Sequence, residues 1–260
     1  MSEVPIRLPD VAVIGFDAPI RWLAEGWSDL MKCFWQSLAY GLILTGFSIW
    51  LVWTLYATHI AFWVFALTCG FVFVAPMLAM GLYAAGRVLE AGGKPSLADM
   101  LVVRSALRQD LAYLGLALLI VFLIWGQIAQ IVYGLSTFQT HATIGSLLHF
   151  TFGTASGHSM LMAGTLIGGL IAFFAFTLVV VSAPMLLDRN ADVFMATVTS
   201  FRAVSRNFLP MLFWAFLLAT LLLLTVLTGF LGLALVFPWL GLASWRAYRS
   251  LVLTAEPAQS

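Results

Sequence analysis

Charge is scarce in this sequence. Of 260 residues, 9% are Asp, Glu, Lys or Arg and 62% are hydrophobic, with a mean hydropathy of +1.03. A soluble domain carries about 25% charged residues. It must also present a large outer face to water, so a water-soluble fold is excluded and lipid takes the place of water. A basic patch is missing too: the net charge is +1, which excludes nucleic acid as a partner. Cysteine is limited to Cys33 and Cys69. They form neither a disulfide framework nor a metal-binding spacing and read as small apolar fillers. Histidine is limited to His59, His141, His149 and His158. All four fall in expected outer loops or at span edges. A haem–copper catalytic subunit needs histidines inside its spans, so that chemistry is excluded.

The apolar runs remain. A bilayer core takes about 20 residues as helix, and the sequence predicts spans at 36–57, 60–83, 111–135, 160–187, 208–228 and 230–248. The first two are joined by Ala57-Thr58-His59 and the last two around Gly229. The first ~35 residues are mixed and charged and lack the short apolar core of a cleavable signal, so the first span is expected to stay as an anchor.

All twelve basic residues fall on one side of this map: Arg7, Arg21 and Lys32; Arg87, Lys94, Arg104 and Arg108; Arg189, Arg202 and Arg206; Arg246 and Arg249. The eleven acids lie there as well. Cytoplasmic loops carry the excess of Lys and Arg, so both termini are expected inside. The expected fold is an all-α membrane protein with six transmembrane helices in three hairpins. Residues 1–18 and 252–260 are tails on a single domain, 19–251.

Each hairpin is expected to follow a cytoplasmic interfacial amphipathic helix. In the first, Leu23, Trp27, Leu30, Met31 and Phe34 oppose Arg21, Glu25, Asp29 and Lys32. In the third, Phe194, Val198, Phe201, Val204 and Phe208 oppose Asp192, Arg202 and Arg206. The middle one opens with Ser96 and Asp99 at capping-box spacing. Leu30-Met31-Lys32-Cys33-Phe34 aligns with Val204-Ser205-Arg206-Asn207-Phe208, and Pro76, Pro184 and Pro238 occupy similar places in the second helices. The chain thus reads as three parallel repeat units, about 21–87, 96–189 and 191–249. Each proline lacks an N–H and crowds the carbonyl four residues back, so each is expected to kink its helix.

Site chemistry is thin. No charged residue lies mid-span, which disfavours proton-coupled transport. No Ser–His or metal pair at depth suggests a hydrolase, so no enzyme, cofactor or catalytic residue is expected. His141, His149 and His158 are weak metal candidates, since spacings of eight and nine do not share a helical face. Gln127 and Gln130 share a face and would either line a polar path or bond across helices. Gly164, Gly168 and Gly169 permit close helix approach, with packing inside the chain as the default and a dimer face as the alternative. Asp188, Arg189, Arg202 and Arg206 are the docking or anchoring candidates.

The segments Pro19-Ile20-Arg21-Trp22-Leu23, Gly26-Trp27-Ser28-Asp29, Ser37-Leu38-Ala39-Tyr40-Gly41, Ala79-Met80-Gly81-Leu82-Tyr83, Pro184-Met185-Leu186-Leu187-Asp188-Arg189 and Trp245-Arg246-Ala247-Tyr248-Arg249 occur in this order. Together, from Pro19 to Leu251, they resemble the family of integral membrane proteins catalogued as domain of unknown function 2189. The resemblance implies a proteobacterial inner-membrane protein and implies no activity. The expected function is a non-catalytic accessory or assembly component of a larger membrane complex, with the lipid bilayer and another membrane protein as partners. The alternative is a transporter or lipid-handling protein for a neutral or lipid substrate, with a mid-membrane cavity lined by Gln127, Gln130 or Thr177. The sequence leaves the oligomeric state open.

Overall fold

A computed structural model describes residues 8–57, 61–103, 109–137 and 143–253. In lipid every backbone polar group must be satisfied within the chain, so apolar segments of this length become helices. The helices are α1 (Ala18–Lys32), α2 (Phe34–Ala57), α3 (Ala61–Leu78), α4 (Met80–Glu90), α5 (Leu97–Leu101), α6 (Gln109–Ser136), α7 (Ile144–Gly153), α8 (Ala155–Val179), α9 (Ser182–Asp188), α10 (Val193–Arg206), α11 (Phe208–Leu224) and α12 (Leu233–Leu251). Among the described residues there is no β-strand, only an isolated bridge between Val11 and Val252.

Each predicted span falls on helix, although 60–83 is divided between α3 and α4 and 160–187 between α8 and α9. Among the described residues four stretches are long and apolar enough to cross a membrane: Phe34–Leu55, Gln109–Ser136, Ala155–Asp188 and Phe208–Thr228. The other two expected spans, α3 and α12, have 18 and 19 residues and are not among those four. The connection beyond Ala57, with Thr58 and His59, lies outside the described residues. The connection after α11 is a 3-10 turn over Thr225–Thr228 closed by Gly229. Gly229 has φ +60°, a left-handed conformation natural to glycine.

The prolines act unequally. Pro76 is followed by a break at Ala79, where α3 gives way to α4. The Tyr40 hydroxyl donates to the Leu78 carbonyl there at 2.6 Å. Pro184 is the third residue of α9, and the helix parts four residues earlier, after Val179. Ser200 of α10 repairs that opening: its Oγ accepts from Val181 N at 3.2 Å and donates to Thr177 O at 2.7 Å. At Pro238, by contrast, α12 continues as one helix.

Helix α12 is the axis of the fold. It packs most extensively against α1, α2 and α4, and residues on every side of it are buried, from Leu233 to Leu251. A second group gathers α3, α6, α7 and α8, with α9 and α10 against its end. The first group is held by close backbone approach. A Cβ added at Gly26 of α1 would come 2.7 Å from Ala243 Cα. One at Gly41 of α2 would collide with the Ala234 carbonyl, which Pro238 leaves without an N–H. Trp22 of α1 meets Trp214 of α11 edge to face, with ring centroids 5.5 Å apart and both rings buried.

The faces of α1 and α10 that pack inward are set by small and polar residues as well as apolar ones. In α1 the buried set is Ala18, Pro19, Trp22, Gly26, Asp29 and Leu30, while Trp27 and Met31 are exposed. In α10 it is Ala196, Thr199, Ser200, Ala203 and Val204, while Phe194 is 76% exposed. Small and hydroxyl-bearing residues let helices approach closely and bond to one another. The aromatic stripe therefore turns outward. The helix α10 ends at Asn207, whose side chain accepts from Ile14 N and donates to Ala12 O, both at 2.9 Å. That pins an N-terminal strap, residues 8–16, which also runs beside the C-terminal end: Ala12 N donates to Leu251 O at 2.9 Å and Leu253 N to Asp10 O at 3.0 Å.

Gly26→Ala and Gly41→Ala each lower the melting temperature of the detergent-solubilised protein, by overpacking worth about 1–3 kcal/mol. Gly46→Ala, whose added Cβ meets nothing within 4 Å, leaves it unchanged.

Candidate functional site: a charged cluster at one pole of the bundle

The last two turns of α12 read Trp245-Arg246-Ala247-Tyr248-Arg249. Residues four apart share a helical face, so Trp245 and Arg249 reach the same neighbour. Trp245 Nε1 donates to Glu90 Oε2 at 3.2 Å, and Arg249 Nε donates to Glu90 Oε1 at 2.9 Å. Glu90 closes α4, so α4 is tied to α12 at this pole. Tyr248 and Arg249 turn to α9: the Tyr248 hydroxyl donates to Asp188 Oδ2 at 2.8 Å, and Arg249 Nη1 reaches the same oxygen at 3.4 Å. Arg189 Nε donates to the Tyr248 hydroxyl at 3.1 Å. Arg246 points to α1 and donates to Asp29 Oδ2 at 2.6 Å, while Lys32 Nζ holds Asp29 Oδ1 at 2.8 Å. Arg87 Nη1 donates to the Leu187 carbonyl at 3.0 Å, near the end of α9.

The Asp29 side chain is 1% exposed and that of Arg246 25%. Burial pushes the Asp29 carboxyl up. The hydrogen bonds and charges of Arg246 and Lys32 outweigh burial and hold it below its ordinary value of 3.8. The cluster thus consists of pairs closed on one another, with each carboxylate engaged by a cation. Its chemical competence is to hold the ends of α1, α4, α9 and α12 together.

The structure distributes the expected site residues unevenly. Asp188 and Arg189 belong to the cluster, although their direct separation is 3.9 Å and Asp188 is chiefly held by Tyr248 and Arg249. Arg202 and Arg206 are exposed on α10 and take part in no ion pair among the described residues. Gln127 and Gln130 are exposed on the side of α6 opposite its buried Leu111, Leu114, Leu118 and Trp125. Thr177 is buried and donates to Phe173 O at 2.8 Å. The three therefore line no common path. His149 is exposed, His158 is exposed with Nε2 3.1 Å from Phe152 O, and His141 lies outside the described residues. Among the described residues no three His, Cys, Asp or Glu gather as metal ligands. The expected internal packing of the glycine stripe also needs correction: added Cβ atoms at Gly164 and Gly169 meet nothing within 4 Å, and only Gly168 nears a side chain, Trp125.

Sequence reasoning missed Asp29, Glu90, Arg246 and Tyr248 as cluster members. The i, i+3, i+4 spacing of Trp245, Tyr248 and Arg249 was the available signal for one polar face; nothing local marked the partners. A half-open apolar cleft of about 180 Å³ lies between α3 and α6, lined by Phe73, Val74, Met77, Leu118, Leu119 and Phe122 with Gly115. A second, of about 530 Å³, lies beside Arg87, Pro95, Asp99 and Val103. Neither includes Gln127, Gln130 or Thr177.

Asp29→Asn leaves Arg246 half-paired and costs about 2–3 kcal/mol, between the values for exposed and buried ion pairs. Because its folded pKa is depressed, Asp29 contributes stability above 3.8 and loses it as pH falls through its lower folded value. Thermal melts across acid pH show this loss in the wild type and not in Asp29→Asn.

Comparison with curated proteins and with solved structures finds no match. A family model does match, over α3 to α9. Its extent is narrower than the resemblance read from the motifs, since those of α1, α2 and α12 lie outside it. Residues 64–188 match the family described as predicted integral membrane protein, domain of unknown function 2189 (DUF2189).

Proposed function

We propose that this integral membrane protein is a non-catalytic accessory or assembly component of a larger complex in a bacterial cytoplasmic membrane. In this reading it crosses six times, in three hairpins, with both termini inside. Helix α3, at 18 residues, is about 27 Å long at 1.5 Å per residue, close to the hydrocarbon thickness of about 30 Å. The charged cluster draws the ends of α1, α4, α9 and α12 to one pole, as an orientation with every charge on the cytoplasmic side requires. The joints that precede α2 and α11 support the repeat. Cys33 has φ −130° and ψ 40°, and Asn207, its counterpart in register, has φ −125° and ψ 41°.

The observation that carries the accessory reading is the filled interior. Trp22, Trp214, Trp245, Tyr248 and Phe73 occupy the space between helices, and the glutamines of the rival polar path face outward. Large apolar faces are left to the surroundings, among them Trp35, Phe47, Trp50 and Trp53 along α2. Such faces suit lipid and the spans of a partner subunit equally.

Two measurements test this. Reporter fusions after Ala57, Thr137 and Gly229 report the outer side, and fusions after Gly92 and Asp192 report the cytoplasm; any reversal within that set defeats the six-span topology. Mild-detergent purification from the native membrane, followed by mass spectrometry, recovers a stoichiometric membrane-protein partner. Recovery of the chain alone with one enriched small molecule would favour transport instead.

A further inference from the structure

Arg21, Lys32, Arg87, Arg189, Arg246 and Arg249 each hold a partner within the protein. Arg202 and Arg206 have none among the described residues and stand exposed one turn apart on α10. Lys94 is also exposed, but on the connector between α4 and α5. Beside the two arginines runs an outward stripe of Phe194, Phe201 and Phe208, spaced seven residues apart, which puts the first two on one helical face. Of these only Phe194 and Phe201 belong to α10; Phe208 lies beyond the break at Asn207 as the first residue of α11, where exposed Leu212, Phe216 and Leu223 carry on the apolar surface. That helix is one of the four apolar enough to cross a membrane, so the aromatic stripe is continuous with a lipid-facing surface.

An aromatic face lying level with a bilayer and flanked by arginines sets their guanidinium groups at headgroup depth. Guanidinium pairs with phosphate through two parallel hydrogen bonds. We propose that Arg202 and Arg206 form a binding site for the phosphate of an anionic phospholipid in the leaflet at the charged pole, with Phe194, Phe201 and Phe208 seated among the upper acyl carbons. This rests on the membrane orientation given above. The opposite face of α10 is occupied by its packing on α8 and α9, so the surface that carries the arginines is the one left to meet lipid.

The test uses the full chain in nanodiscs of mixed phosphatidylglycerol and phosphatidylcholine, with the lipids retained on release read by native mass spectrometry. The wild type retains phosphatidylglycerol preferentially. Each basic residue near an anionic surface contributes about 1 kcal/mol, or about fivefold, so the R202Q/R206Q double variant lowers that preference by about twenty-five-fold. The R202K/R206K variant keeps the charge and most of the preference, and both variants melt with the wild type because the side chains are exposed. Absence of a preference in the wild type, or its persistence in R202Q/R206Q, overturns the site while leaving the topology intact. So does a photocrosslinker at Phe201 that captures a protein rather than lipid in native membranes. Release of the chain from membranes by carbonate would overturn the membrane orientation and the site together.

Discussion

The axial helix of this fold carries two arginines in its last two turns. The Asp29 carboxylate that meets one of them is buried, with 1% of its side chain exposed, and a buried charge without a partner costs several kcal/mol. Arg246 supplies that partner, and Arg249 pairs with Glu90 and Asp188 of α4 and α9. This requirement decides which helix ends gather around α12. The close contacts of Gly26 with Ala243 and of Gly41 with Ala234 then set how near the surrounding backbones come. Charge fixes the pole, and the small residues fix the spacing.

The positions of the helices were legible because apolar run length and the demand for internal backbone bonding leave few other options. The five-residue register that aligns Cys33 with Asn207 falls on two joints with nearly the same backbone angles. The inward faces of α1 and α10 were not. Hydrophobicity separates inside from outside only when the outside is water. Here the aromatic face of α10 turns outward, and Ala196, Ser200 and Ala203 turn in. The burial of Asp29 was hidden for the same reason: it patterns with Arg21 and Glu25 on a polar face, yet its partner Arg246 lies 217 positions away.

The prolines show how far a local rule carries. Each removes one N–H, and that much is certain from sequence. The outcome depends on the neighbours of the freed backbone. At Pro184 a serine from α10 bonds both sides of the opening and the helix parts. At Pro76 the break falls just beyond the proline, where Tyr40 takes the Leu78 carbonyl. At Pro238 the bare Ala234 carbonyl lies against Gly41 of α2, and the helix stays whole.

The long separation between Asp29 and Arg246 has a temporal side. Ribosomes add about 5–20 residues per second, so roughly 10–40 s of synthesis separate the two. Through that interval α1 lacks α12, the helix against which it packs most, and its buried surface of Trp22, Gly26 and Asp29 is uncovered. The strap that ties Ala12 to Leu251 cannot close either. The half-made chain is thus a distinct species, in which Lys32 alone holds Asp29 and the seam along α1 stays open until the last helix arrives.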